Sequence, residues 1–366
     1  MIKEMCFSEK WLDSFRNQKA HKRIDKIILE KMIYALHMLE QLKVNGLEFT
    51  FKGGTSLLLL MEEGNRFSID IDIICKTERS ELERVLANVT ETSNFKSYEL
   101  DEHRSYKPGI PKAHYIFSYD TALKTMYPGR ILLDVLIEDS LYPETIEKAI
   151  KTKWIETESE VMVTVPSIDA ITGDKLTAFA PNTIGIPYTK SGQSFTMEIC
   201  KQLFDLGKLF DQIQNIETVA RSFMIFAEQE IVYRKSDNPD LTPVHVLHDT
   251  IETCLIFAKQ GKGDVTEKYL FAQLQKGIIA FGTGFLMTGN FRIDEAIVAT
   301  AKVSYLAAKI LMNDLSQIQY YKGEDVSLLN IESPDWNFLN RLKRQPDKSS
   351  FYYWYHTVQL LTNSAE

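Results

Sequence analysis

Hydrophobic and polar positions follow different periods in the two halves of the chain. Residues 23–44 carry apolar side chains at helical spacing and predict an amphipathic helix. Short apolar runs after it predict strands at 47–51, 69–75, 113–119, 130–137 and 161–165, with short helices at 57–63 and 80–88. From residue 167 onward the pattern predicts helices at 167–180, 195–213, 216–234, 243–258, 265–281, 293–313 and 350–361.

A strand-rich first half followed by a helical second half is typical of an α+β protein. We therefore expect a small mixed sheet followed by a helical C-terminal region. A length of 366 residues fits two domains, and we place them at residues 1–215 and 216–366.

The composition indicates a globular protein with a sizeable core, since 44% of the residues are hydrophobic and 25% are charged. No run of about 18 apolar residues is present, so we expect no membrane span. Residues 1–22 lack the apolar core of a signal peptide. The four cysteines are far apart and match no zinc spacing, which indicates reduced thiols and a cytoplasmic location.

The formal net charge is −8. Proteins that coat nucleic acid are usually basic, because neutralising phosphates dominates their affinity. The acidic balance therefore argues against broad nucleic-acid binding. It leaves room for a local basic patch that holds one RNA end.

An acidic pair lies in the second predicted strand, residues 69–75. Asp70 and Asp72 are two residues apart, so in a strand both side chains point to one face. Magnesium prefers oxygen ligands and commonly also binds substrate phosphates, so such a pair is a plausible metal platform. The alternative is that both carboxylates lie on the solvated face of an ordinary strand.

A glycine turn precedes the acidic pair. Gly53 and Gly54 separate a predicted strand from a predicted helix, and Thr55 and Ser56 are expected to cap that helix. Glycines allow a ligand to approach the backbone, and a helix N-terminus favours phosphate. The Thr55 or Ser56 hydroxyl would add a donor. The alternative is a tight turn with an ordinary N-cap.

A third acidic residue, Asp134, lies inside the apolar run 131–137. A carboxylate in such a strand needs a partner, and that partner could be a metal ion shared with Asp70 and Asp72. Asp134 would then also act as general base on an acceptor hydroxyl. The alternative is a strand-end aspartate paired with a lysine.

Taken in order, these motifs resemble the DNA-polymerase-β-like nucleotidyltransferase superfamily, and more closely the AbiEii/AbiGii toxin family of abortive-infection and toxin–antitoxin systems. That family has a Gly-Gly-Thr-small-Leu turn and a Phe-Ser-x-Asp-Ile-Asp strand, which correspond to residues 53–57 and 67–72. The resemblance implies a polymerase-β-like mixed sheet in the domain at 1–215.

Two later motifs also resemble the family, and the resemblance covers roughly residues 45–215. The residues that match the family in these motifs are Lys175, Lys201 and Asp205. Relatives usually carry an aspartate where this chain has Gln202, so no role is transferred to Gln202. By resemblance, Lys175 would contact the triphosphate, and Asp205 would orient it or lie near the acceptor.

The sequence therefore predicts a nucleotidyltransferase that moves NMP from an NTP to an acceptor hydroxyl. Asp70, Asp72 and Asp134 would hold Mg²⁺, and these three with Lys175 and Asp205 form the predicted catalytic set. The predicted nucleotide-binding residues are Gly53, Gly54, Thr55, Ser56, Ser68 and Lys175.

By resemblance, the acceptor would be a tRNA 3′ end and an antitoxin encoded nearby would restrain the toxin. Two alternatives remain open. One changes the acceptor to a small molecule or a protein, and the other is an NTP-binding regulator without chemistry.

Overall fold

Seven strands form one mixed sheet in the first part of the chain. In the computed structural model, residues 1–17, 24–61, 66–105, 109–234, 239–287 and 289–363 are described. The strands are β1 Thr50–Lys52, β2 Ile71–Ile74, β3 Phe95–Leu100, β4 Lys112–Tyr119, β5 Gly129–Leu136, β6 Thr145–Ala149 and β7 Met162–Pro166. Their order across the sheet is β3-β4-β5-β2-β1-β7-β6.

The central strands combine both directions. β2 is parallel to β5 and antiparallel to β1, whereas β1 is parallel to β7. The predicted α+β class with a mixed sheet is confirmed. Strands β3 and β6 were not predicted, because both are edge strands whose mostly solvent-exposed residues carry no apolar period.

Helices accompany the sheet in this first unit, which comprises Met1–Ser167 with Phe285–Gly289. A 3₁₀ turn at Glu4–Phe7 precedes them. The helices are α1 Glu9–Arg16, α2 Lys26–Val44, α3 Gly53–Leu60, α4 Arg79–Thr92 and α5 Glu102–Ser105. Helix α2 begins with the Asp25 side chain accepting from two backbone N–H groups and packs against β2, β5 and β7.

The helix after the glycine turn differs from the prediction. It begins at Gly53 and ends at Leu60, rather than covering 57–63 behind a Thr55-Ser56 cap. The Ser56 hydroxyl instead donates to the carbonyl oxygen of Gly53 (2.9 Å), so it lies within the first turn. The last two residues of the predicted helix, 62 and 63, fall outside the described residues.

The second unit is helical and comprises Ile168–Gly284 with Asn290–Glu366. Its helices are α6 Ile168–Ala178, α7 Thr196–Phe210, α8 Ile216–Arg234, α9 Pro243–Lys259, α10 Val265–Gly284, α11 Ile293–Leu311 and α12 Ser349–Asn363. A small hairpin, β8 Thr189–Lys190 with β9 Gln193–Ser194, and a 3₁₀ helix at Asn337–Arg344 complete it. Helix α6 packs on α7 and α8, and α11 packs on α7, α9 and α12.

The boundary between the units lies at Ser167–Ile168 and not at the predicted residue 215. Helices α6 and α7 pack on the later helices of their own unit, which places them with the C-terminal helices. The change of sequence pattern at residue 167 coincides with this boundary.

The four cysteines are free thiols, and all are buried. Burial raises the pKa of each thiol, at Cys6, Cys75, Cys200 and Cys254. A raised pKa keeps a thiol protonated and weakly nucleophilic. Among the described helices, none is long and apolar enough to cross a membrane.

A close backbone approach joins α6 to α8. A Cβ on Gly173 would lie 2.4 Å from the carbonyl oxygen of Val219 and 2.6 Å from the backbone nitrogen of Phe223. We expect Gly173→Ala to lower the free energy of unfolding by about 1–3 kcal/mol, because backbone atoms must move apart.

The matched control is Gly284→Ala, at the end of α10, where no atom lies within 4 Å of the added carbon. That change should be neutral or stabilise by up to about 1 kcal/mol through reduced chain entropy. Denaturant unfolding of both variants measures the difference, and equal stabilities would contradict the packing assignment.

Candidate active site

Four polar side chains form a row across the middle of the sheet. Lys52 on β1 is in register with Asp72 on β2, Asp72 with Asp134 on β5, and Asp134 with His114 on β4. Residues directly opposite one another on neighbouring strands share a face. The row therefore presents one cation, two carboxylates and an imidazole side by side.

The opposite face of the same strands is apolar. Ile71 and Ile73 flank Asp72 and are buried, as are Leu133 and Val135 on either side of Asp134. This alternation is the reason that both aspartates face the polar side, since successive strand residues point to opposite faces.

The glycine turn lies directly against Asp72. Gly53 has a φ of +78°, and a Cβ at this position would lie 2.1 Å from Asp72 Oδ2. Only glycine adopts this left-handed backbone conformation readily and also leaves room for the carboxylate. The Asp72 carboxylate therefore occupies the space that a side chain at position 53 would need.

Gly54 is equally restricted. A Cβ there would lie 2.4 Å from Arg66 Nη2 and 3.0 Å from Ser68 Oγ. The Arg66 guanidinium, which also donates to the carbonyl oxygen of Phe67 (3.0 Å), is buried beside the turn. The turn thus has carboxylate on one side and guanidinium on the other.

Thr55 connects the two motifs. Its Oγ1 donates to the carbonyl oxygen of Asp70 (2.6 Å) and lies 2.8 Å from Ser68 Oγ. Thr55 and Ser56 are fully buried, and both hydroxyls are engaged inside the protein. Any phosphate contact of this turn in the described arrangement therefore belongs to backbone N–H groups.

Asp70 is exposed and immediately precedes β2, which is shorter than the predicted strand 69–75. Its carbonyl oxygen accepts a hydrogen bond from the Thr55 hydroxyl. Asp72 lies inside β2 and is half-buried.

The N-terminus of α3 completes this part of the site. Lys52 occupies the N-cap position, and its side chain makes no capping hydrogen bond. The first N–H groups of a helix have no partner within the helix, and they carry the positive end of its dipole. An anion bound beside Gly53 and Gly54 would satisfy them.

Asp134 is held by two cationic or polar groups. His114 Nδ1 lies 2.6 Å from Asp134 Oδ1, and Arg104 Nη2 donates to Asp134 Oδ2 (3.1 Å). The short helix α5 brings Arg104 here, because the backbone N–H of His114 donates to Ser105 Oγ (2.9 Å). The partners of Asp134 are thus an arginine and a histidine, where the sequence alternative named a lysine.

The carboxylates fit magnesium in their chemistry, since oxygen atoms are its preferred ligands. Asp72 and Asp134 are register neighbours on one face, and Asp70 precedes Asp72 by two residues. Among the described residues, however, no group of three or more acidic, histidine or cysteine side chains is arranged to hold an ion. Asp134 would bind a shared ion with the lone pairs that its contacts with His114 and Arg104 leave free.

Lys175 and Asp205 meet within the helical unit. Lys175 Nζ lies 2.7 Å from Asp205 Oδ2 and donates to Gln202 Oε1 (3.0 Å). The side chains are 6% and 1% exposed, respectively. Gln202, to which no role was assigned from sequence, is thus a partner of the buried ammonium, and the triphosphate contact of Lys175 stays a prediction.

Four residues of this neighbourhood were missed from sequence: Lys52, Arg66, Arg104 and His114. Lys52 and Arg66 directly adjoin the two motifs, so their positions in the sequence were a usable signal. Arg104 and His114 had none, because only the pairing of β4 with β5 and the anchoring of α5 bring them to Asp134.

A row of carboxylates beside a glycine turn at a helix N-terminus has the chemistry that a phosphate-transferring enzyme such as a nucleotidyltransferase uses. The sequence matches the family described as nucleotidyl transferase AbiEii toxin, type IV toxin–antitoxin system, over residues 38–256. The chain belongs to this family and is a nucleotidyltransferase, which implies a nucleotide substrate and an antitoxin partner.

Two solved structures are similar. One is a protein from H. pylori assigned as a nucleotidyltransferase, with 17% identity over 68% of this chain and 95% of that chain, and a TM-score of 0.33. The other is MenT4, a nucleotidyltransferase toxin from Mycobacterium tuberculosis H37Rv, with 12% identity over 75% and 88%, and a TM-score of 0.44. No curated protein matches the sequence.

The contact between Gly53 and Asp72 generates a prediction. Gly53→Ala should lower nucleotidyl transfer by about 100-fold, because the added carbon displaces the Asp72 carboxylate from its place in the row. Activity is measured as labelled nucleotide transferred per folded protein, with folding followed by circular dichroism.

Gly46→Ala is the control for backbone strain. Gly46 has a φ of +85° and no atom within 4 Å of an added Cβ. Both variants should lose about 1–2 kcal/mol of stability from the left-handed conformation, and only Gly53→Ala should lose activity. Equal activities in the two variants would contradict the role of this contact.

The buried ion pair generates another prediction. Lys175→Met should destabilise the protein by about 3–5 kcal/mol, because Asp205 loses its ammonium partner in a buried site. Lys302→Met, which breaks a more exposed pair with Asp211, should cost about 0–1 kcal/mol. Thermal unfolding compares the two, and a loss at Lys175 no larger than at Lys302 would refute a structural role of the pair.

Proposed function

We propose that this chain transfers a nucleoside monophosphate from an NTP to an acceptor hydroxyl, and that the acceptor is tRNA. The observation that carries the proposal is the register of β1, β2 and β5, which places Asp72 and Asp134 side by side next to the glycine turn. The turn supplies a phosphate-binding helix terminus, and the two acids supply oxygen ligands and a base.

In the proposed reaction, the acceptor oxygen forms a bond to the α-phosphorus of the NTP. The bond from that phosphorus to the oxygen that bridges it to the β-phosphorus breaks, and pyrophosphate leaves with that oxygen and its electron pair. The hydroxyl proton passes to the Asp134 carboxylate. His114 Nδ1 and Arg104 Nη2 hold the two oxygens of this carboxylate, which orients it towards one acceptor position.

The backbone N–H groups at Gly53 and Gly54 would receive phosphate oxygens of the NTP. Gly53 is held in its conformation by the fit against Asp72, and Gly54 by the fit against Arg66 and Ser68. Preorganised donors of this kind stabilise charge without rearranging during the reaction.

Magnesium is the metal that we propose for Asp70 and Asp72, with Asp134 as a third ligand. When bound, it would neutralise phosphate charge and position the triphosphate. Removal of divalent ions with EDTA should abolish transfer, and added Mg²⁺ should restore it. Unchanged transfer in EDTA would contradict this assignment.

The test of the function is incubation of the purified protein with Mg²⁺, each labelled NTP in turn and total tRNA. The wild type should place label on tRNA, whereas Asp70→Asn and Asp72→Asn should lose at least about 1,000-fold of this activity, because each removes a charged ligand oxygen. Asp139→Asn is the control, since Asp139 is an exposed carboxylate of the same unit that pairs with the exposed Lys76.

Other outcomes separate the alternatives. If pyrophosphate is released while tRNA stays unlabelled, the acceptor is a small molecule or a protein. If the NTP binds without pyrophosphate release or label transfer, the proposed chemistry fails and a binding role replaces it. The antitoxin partner is tested by adding the product of a neighbouring gene to the same reaction.

A further inference from the structure

A small cavity of about 150 Å³ lies in the first unit, at the C-terminal end of α3. One wall is apolar and consists of residues 58–61. The rest of the lining runs from the end of β6 into the segment after it and carries three lysines, Lys148, Lys151 and Lys153. No acidic residue interrupts the segment from 148 to 155.

These three lysines line a single cavity of an acidic protein. Within the described residues, none of the three forms an ion pair or donates a side-chain hydrogen bond, although Lys153 Nζ lies 5.0 Å from the ring centroid of Trp154. Nine other lysines are paired with carboxylates: Lys3, Lys26, Lys43, Lys76, Lys96, Lys175, Lys259, Lys302 and Lys309. The cavity therefore brings three lysines together, with no carboxylate among the described residues that line it.

Helix α3 connects this cavity with the candidate active site. Its first residue is Gly53 of the turn, and its last residues line the cavity. Eight helical residues span about 12 Å. With one phosphate per about 3.4 Å of strand axis, this length corresponds to three or four phosphates of a nucleic acid strand.

We propose that Lys148, Lys151 and Lys153 bind backbone phosphates of the acceptor RNA, a few nucleotides from the end that receives the nucleotide. The inference deepens the proposed function and rests on it for the identity of the acceptor. A local group of lysines fits such a contact, because each phosphate neutralised releases counterions and adds affinity. It also fits a net charge of −8, since RNA would be held along one short path and not over a broad basic surface.

The experiment measures binding of a 5′-fluorescein-labelled tRNA by anisotropy, without NTP, over a series of salt concentrations. The variant is Lys148→Gln/Lys151→Gln/Lys153→Gln in the full chain. The control is Lys3→Gln/Lys76→Gln/Lys96→Gln, which removes the same charge from three lysines of the same unit that pair with carboxylates. Circular dichroism verifies that all proteins are folded.

We expect the cavity variant to bind tRNA at least about tenfold more weakly at low salt, with the slope of log Kd against log salt reduced by about 2. The control variant should lose much less, and the Kd for NTP should be unchanged in both. The transfer reaction should show a raised KM for tRNA with little change in kcat.

The inference is overturned if the cavity variant binds tRNA like the control, if wild type binds no tRNA, or if NTP binding weakens in place of RNA binding. Failure of the proposed function looks different. In that case the wild type binds tRNA through these lysines and transfers no nucleotide to it. Conversely, normal transfer to tRNA with unchanged binding by the variant would refute only the lysine site.

Discussion

Asp72 and Asp134 lie side by side on neighbouring parallel strands, and the rest of the site depends on how their charges are compensated. Two adjacent carboxylates repel each other and raise each other's pKa unless positive charge lies nearby. The structure supplies that charge from separate elements: Lys52 in register with Asp72, and Arg104 and His114 on Asp134. A bound cation would add to the same compensation.

The glycine turn fits closely against this pair and leaves no room for a side chain at Gly53 or Gly54. Gly53 leaves room for the Asp72 carboxylate, and Gly54 leaves room for the Arg66 guanidinium. Thr55 then fastens the turn to the acidic strand through the carbonyl oxygen of Asp70. This short segment ends β1, begins α3 and contacts the acidic strand. Its residues therefore have a structural role and a role in the site at the same time.

Charge is distributed unevenly over the molecule. Nine described lysines pair with carboxylates, and among these pairs Lys175–Asp205 is buried within the helical unit. The three lysines at the end of α3 line one cavity, with no carboxylate among its described lining residues. An acidic protein can therefore still present a localised phosphate-binding path, since affinity for RNA depends on the local number of phosphates contacted and not on the net charge.

The sequence by itself determined the class of the fold, most of the helices and strands, and the two motifs of the site. The spacing of apolar residues shows which face of each helix or strand is buried, so the elements can be predicted locally. The glycine turn and the acidic pair can be recognised because each is a short continuous stretch of sequence. It did not reveal β3 and β6, because exposed edge strands carry no apolar period.

Only the tertiary structure decided which residues share the site. The pairing of β2 with β5 aligns Asp72 with Asp134, and the pairing of β4 with β5 adds His114, although these residues are up to 62 positions apart in sequence. It likewise decided that the hydroxyls of Thr55 and Ser56 are turned inward and that Gln202 contacts Lys175. Strand register and helix packing depend on contacts between distant residues, and a single sequence carries no local signal for either.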